Sequence, residues 1–165
     1  MGTFFFALKK VDNGEVIVLR DLVKKRKSEV RYCQPLSNGQ ALHIYFWREK
    51  QSISNQIVYV WNVGIIITDA RKKANYWKNH SPKGKKDMST GECGLEGLKK
   101  AIDIILQFRY RLKRNEYLFV VFDDEKRKSA YRWLERYGFM EFHKNDQFQA
   151  YGTFNPIYWD WFETE

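Results

Sequence analysis

The stretch "STGECGLEGLKKAIDIILQF", Ser89 to Phe108, runs from a glycine-containing turn straight into an amphipathic helix. Leu95, Leu98, Ile102, Ile105 and Leu106 recur at helical spacing, which predicts a helix over about 94–109 with one buried stripe. The turn before it has two readings. The first amides of a helix lack internal partners and carry the positive end of its dipole, so a turn without bulky side chains cradles phosphate. Gly91 and Gly94 meet that demand, and "GKK" just upstream adds the cations Lys85 and Lys86. In the other reading Ser89 or Thr90 caps the helix, with Glu92 or Glu96 reciprocating in the first turn. The turn is neither a Walker loop, for no Gly-Lys-Ser/Thr follows, nor a three-glycine dinucleotide fingerprint.

Upstream, the chain reads as strands. Two apolar runs, 4–8 and 16–19, flank Asn13-Gly14, a pair suited to a tight hairpin turn because both residues tolerate positive φ. Residues 21–30, "DLVKKRKSEV", read either as a short helix capped by Asp21 or as a basic loop. "LHIYFW", 42–47, is a strand. So is "IVYVWNVGIIIT", 57–68, where Gly64 marks a bulge or a close backbone approach. Downstream, "YLFVVF", 117–122, is apolar at every position and predicts a strand covered on both faces. A helix follows, capped by Asp123 or Asp124, with Ala130, Trp133, Leu134 and Tyr137 as its inner stripe. Gly138 suits the left-handed residue past its end, with Phe139 folding back. "FMEFH" and "FQAYGTF" close the chain as a strand pair around "KNDQ". With no linker or repeat, residues 1–165 form one α+β domain: a mixed, mostly antiparallel sheet with helices packed on it.

Composition narrows the function. Aromatic residues make up 17% of the chain, which suits a well-filled core rather than disorder. No apolar run reaches the roughly twenty residues that cross a bilayer, and the N-terminus lacks the marks of an export signal. Cys33 and Cys93 are therefore expected as free thiols in a reducing cytoplasm. His43, His80 and His143 stand too far apart for a zinc site, so no metal is expected. A net charge of +9 favours anionic partners, although the basic residues fall in five separate runs, the pattern of a solvated surface.

A long strand with a central glycine comes first, then a glycine turn opening a helix, a buried strand, and a helix ending in "YGF" at Tyr137 to Phe139. Over 57–154 this order resembles the GNAT superfamily of N-acetyltransferases. The resemblance implies a GNAT-like fold, acetyl-CoA as cofactor, an amine as acceptor and direct transfer of an acetyl group. It implies that Gly91, Glu92, Cys93, Gly94 and Leu95 form the pyrophosphate turn with Lys85 and Lys86 beside it. It also implies that backbone near Val63 and Ile65 polarises the thioester carbonyl. Tyr131 or Tyr137 would protonate the departing sulfur, and Asp69, Asp123, Asp124 and Glu96 are the nearest carboxylates for the base. The chain departs from the family pattern at three places. Gly91 stands where the family has Gln or Arg, Glu96 replaces a small residue, and Leu134 occupies the tyrosine position. The connection 71–88 is also longer than the family's.

Two other functions stay open on the residues. Interleaved aromatics (Tyr45, Trp47, Tyr59, Trp61, Tyr76, Trp77) with the basic charge suit a nucleic-acid-binding sheet. The tail "FNPIYWDWFETE", with Tyr158, Trp159, Trp161 and Phe162, suits a regulatory domain that pairs with a second copy, or a segment closing the core.

Overall fold

The computed structural model describes residues 7–8, 17–18, 28–53, 55–69, 73–75, 94–122 and 124–158. Its centre is a six-stranded sheet in the order β3-β4-β5-β6-β8-β7. The strands are β3 (Glu29–Pro35), β4 (Ala41–Ile53), β5 (Gln56–Thr68), β6 (Glu116–Val121), β7 (Met140–Lys144) and β8 (Gln147–Phe154). Every neighbouring pair is antiparallel except β5 with β6, which is parallel. A separate two-stranded piece pairs β1 (Ala7–Leu8) with β2 (Ile17–Val18) antiparallel, as the hairpin reading expects; its Asn13-Gly14 turn lies outside the described residues. The chain is thus α+β with a mixed sheet.

Helix α1 (Gly94–Arg109) spans the range that its apolar period predicts. It packs on the sheet face that carries Leu42, Ile44 and Phe46 of β4, Trp61, Val63 and Ile65 of β5, and Leu118 and Val120 of β6. The second helical segment shares this cluster through Tyr131, Leu134 and Phe139. That segment is α2 (Glu125–Tyr131), which tightens into a 3-10 turn at Arg132–Tyr137. Asp124 caps α2 by accepting from the Arg127 amide at 2.7 Å. At the far end Gly138 takes φ 81°, and the Phe139 amide returns to the Leu134 carbonyl at 3.3 Å. That is the expected left-handed cap with its apolar follower buried. The opposite sheet face carries a smaller cluster of Tyr45, Ile66 and Ala74, the last from a helical piece at 73–75.

Several expectations need correction. Residues 29–35 form strand β3 where no strand was expected; the rest of the 21–30 stretch up to residue 27 lies outside the described residues. β3 is an edge strand, and its single core-facing row, Val30 and Tyr32, is a weak apolar signal beside the basic run. β4 continues six residues past Trp47 because Arg48 to Ile53 pair with β5, closing through Asn55 at φ 63°. Gly64 makes no bulge; it holds its rung opposite Tyr45 in an unbroken register. β6 alternates between buried and half-buried positions rather than being covered equally on both faces. In α1, Leu95 is 57% exposed and does not join the stripe, which is completed instead by Ala101, Ile104 and Phe108. Trp133 and Tyr137 are 39% and 43% exposed. The 3-10 turn advances 120° per residue, so Leu134 stacks over Tyr131 as the inward line and Trp133 swings out; Tyr137 continues that line one turn further, outside the cluster, where its carbonyl meets Arg109.

Tyr32 supplies a pH test of this packing. Its ring meets Phe46 edge-on at 5.6 Å, and burial pushes the phenol up to about 12, with Arg111 pulling the other way. In the unfolded chain the phenol titrates near 10. Stability is therefore unaffected by this group below about pH 10 and is lost as pH rises toward 12, by about 2–3 kcal/mol at full extent. Urea unfolding of wild type and Tyr32→Phe at pH 9 and pH 11.5 should show that loss only in the wild type; parallel losses in both would place Tyr32 in water.

Candidate functional site

The parallel β5–β6 ladder runs from Tyr59↔Glu116 to Val63↔Val120 and ends there. β5 does not end with it. Its residues 64–68 continue in pairing with β4, from Tyr45↔Gly64 to Ala41↔Thr68. β6 keeps only Val121, and that residue pairs with Ala150 of β8. Past the Val63/Val120 rung the parallel ladder stops: β6 has only Val121 left, while β5 runs on to Thr68 paired on its other side with β4. The β6-facing backbone groups of 64–68 lie outside the β5–β6 ladder, at the carboxyl end of both strands. In sheets with parallel strands, a crevice at that end is the usual place for a ligand.

α1 begins on the same side of the sheet. A Cβ placed on Gly97 would meet Ile67 Cδ1 at 2.3 Å and Cγ1 at 3.1 Å, with Leu36 Cδ1 at 3.7 Å. The bare backbone at Gly97 thus lets the first turn of α1 lie directly on the end of β5. The sequence reading assigned no role to Gly97; its signal was a glycine inside a helix, which costs about 1 kcal/mol against alanine unless packing requires it. Glu96, one residue earlier, reaches away from the wedge. It accepts from Ser37 Oγ at 2.6 Å and from the Ser37 amide at 3.3 Å, and it pairs with Lys100 Nζ at 2.8 Å. Lys100 also donates to the Pro35 carbonyl at 3.1 Å. Helix start and β3–β4 turn are tied together, and the carboxylate that an anion would meet at the helix tip is occupied elsewhere.

Of the residues singled out from the sequence, the structure brings Val63, Ile65 and Tyr131 into one buried cluster. Gly94 opens α1 with open space around its Cβ position, and Leu95 stands exposed next to it. Tyr137 sits apart from the cluster: its ring is exposed, and its carbonyl accepts from the buried Arg109 guanidinium at the end of α1. Gly91, Glu92, Cys93, Lys85 and Lys86 lie outside the described residues, as do Asp123, Tyr76, Trp77, Trp159, Trp161 and Phe162. Cys33 is an exposed free thiol. The candidate bases Asp69, Asp124 and Glu96 are committed. Asp69 pairs with Lys73 at 3.0 Å, and that partner lowers its titration below the usual carboxylate value. Asp124 is the α2 cap and Glu96 holds Ser37. Among the aromatics proposed for base stacking, Tyr45 and Trp61 are buried in the two clusters. Trp47 donates to Glu49 at 3.2 Å, and Arg48 covers Tyr59 at 5.0 Å.

No protein-family model, curated protein or solved structure matches the chain. Among the described residues, no helix is long and apolar enough to cross a membrane.

Proposed function

We propose that the chain is a GNAT-like domain that binds acetyl-CoA in the wedge between β5 and β6 and passes the acetyl group to an amine. One observation carries this reading: the parallel β5–β6 ladder stops at Val63↔Val120 while β5 runs on to Thr68, beside a helix whose first turn rests on that overhanging end. The sequence resemblance requires a splayed strand followed by a glycine turn and helix, and this geometry supports it. Acetyl-CoA supplies an acetyl thioester whose carbonyl carbon takes the amine nitrogen as the carbon–sulfur bond breaks. The chain's part is to hold and polarise that group. Amides at the start of α1 receive the pyrophosphate, backbone beside Val63 and Ile65 receives the carbonyl oxygen, and a phenol returns a proton to sulfur. Tyr131 is preferred to Tyr137 for the last role, because it shares the buried cluster with Val63 and Val120. Asp69, Asp124 and Glu96 are each engaged by a partner, so in this reading the amine proton leaves to water. Cofactor binding is accordingly the half of the proposal with more structural support.

Thermal unfolding tests it. Millimolar CoA or acetyl-CoA should raise the Tm of the wild-type protein. Gly94→Glu should lose that shift while keeping the basal Tm, because a side chain at Gly94 meets nothing within 4 Å among the described residues. An unmoved wild-type Tm refutes cofactor binding, and an undiminished shift in the variant places the cofactor away from α1.

A further inference from the structure

Arg31 lies on β3 opposite Tyr45, and Tyr45 lies opposite Gly64. The row Arg31–Tyr45–Gly64 is the first one past the last β5–β6 rung. Tyr45 belongs to the cluster on the sheet face away from α1, so Arg31 lies over that face, level with the end of the β5–β6 ladder. Two strand spacings separate the Arg31 backbone from Gly64, about 10 Å.

The Arg31 guanidinium is held by neutral groups. Nη1 donates to Asn75 Oδ1 at 2.8 Å, Nη2 donates to His43 Nδ1 at 2.9 Å, and the cation lies 4.8 Å from the centre of the Tyr45 ring. A guanidinium only donates, so Nδ1 of the buried His43 accepts and carries no proton. Among the described residues no carboxylate pairs with Arg31. Of the five N–H groups of a guanidinium, these two bonds use two, and the side chain remains partly open to solvent. Tying β3 to the 73–75 helix needs only a neutral donor. A fixed cation without a counter-ion among the described residues suits an oxyanion, with its side-chain ordering already complete.

We propose that Arg31 receives the carboxylate of the acyl acceptor, so that the acceptor is a small amine that also carries an acid group. It enters on the face opposite α1 with its amine toward Gly64. This rests on the acetyl-transfer reading for the identity of the ligand as acceptor, and on the Arg31 geometry alone for its charge.

Thermal and calorimetric titrations at constant ionic strength separate the two. Wild-type protein should bind glutarate and be stabilised by it, and glutaramide, the neutral analogue, should have no effect. Arg31→Gln should weaken glutarate binding about tenfold or more, the scale of a lost hydrogen bond to a charged group. Arg31→Lys should recover only part of it, because an ammonium lacks the fork; that variant carries the test if Arg31→Gln does not fold. Inorganic phosphate is the third probe: binding weaker than glutarate supports a carboxylate, and binding stronger than glutarate overturns the carboxylate assignment. Equal effects of glutarate and glutaramide, or undiminished glutarate binding in Arg31→Gln, overturn the inference. A CoA shift without glutarate binding removes this inference alone. Glutarate binding without a CoA shift leaves Arg31 as an anion site and removes the acetyl-transfer context.

Discussion

Phe108→Ala is expected to destabilise the folded chain by about 3–5 kcal/mol, the range for truncating a fully packed phenylalanine. Phe108 sits on the last turn of α1 and is buried. Its ring stacks on Phe46 at 4.0 Å with 16° between planes and meets Trp61 edge-on at 5.1 Å. Three elements, α1, β4 and β5, therefore converge on one side chain. Removing it leaves a cavity bounded by rings that cannot collapse without moving the helix off the sheet. Total stability for a domain is about 5–15 kcal/mol, so the variant should unfold at a much lower urea concentration with a similar slope. Phe108→Leu refills most of the space and should cost well under half as much. A loss below about 1 kcal/mol for Phe108→Ala, read from the urea midpoint, would mean that α1 is not seated on β4 and β5 as described. The consequence reaches the proposed site, since the same helix presents Gly94 at its other end.

The limits of α1 were legible because a buried helix face imposes a 3.6-residue period that only local sequence has to satisfy. The closing hairpin was legible for the same local reason: Asn145 and Asp146 take φ 51° and 60° between two strands, a turn that these residue types tolerate. What escaped was set by pairing partners rather than by the residues' own pattern. β3 exists because β4 offers it an edge, with Glu29↔Trp47 through Pro35↔Ala41, and its own composition is that of a polar surface. Arg48 to Ser52 of β4 are polar yet extended because β5 pairs with them. Glu96 stands in the sequence as a carboxylate in the first turn of the helix, and its direction is set by Lys100 and by Ser37, a residue far away in the chain. The candidate site was half legible. Gly94 and Val63 stand out in the sequence by type and place. The early end of the β5–β6 ladder does not, because β6 meets β5 only across α1 and is held on its other side by β8, a strand remote in the chain. Arg31 was invisible as a site residue because His43 and Asn75 reach it only through strand register and the helical piece at 73–75.

The second large effect is expected at Asn155, where truncation to alanine should cost about 2–4 kcal/mol, the cost of leaving buried polar groups unpaired. Asn155 is 1% exposed and directly follows β8. Its Nδ2 donates to the Tyr110 carbonyl at 3.0 Å and the Leu112 carbonyl at 2.9 Å, while Oδ1 accepts from the Ile157 amide at 3.2 Å. One side chain thereby fixes the connection between α1 and β6 to the end of β8. Glu116, the first residue of β6, completes that corner by accepting from the Lys113 amide at 2.9 Å and facing Arg48 at 3.5 Å. These contacts set where β6 starts and hence where the far wall of the wedge stands. Asn155→Asp separates hydrogen bonding from packing, because the volume is kept while both donors become acceptors opposite two carbonyls. The buried carboxylate is disfavoured in its charged form, so this variant should be less stable than Asn155→Ala at neutral pH. It should recover as pH falls and the acid takes up a proton, since the folded state then binds that proton more readily than the unfolded chain. Urea unfolding of both variants at pH 7 and pH 5 reads the difference. Wild-type stability in Asn155→Asp at pH 7 would show that the two carbonyls draw no stability from Nδ2 and that the corner is held by packing instead.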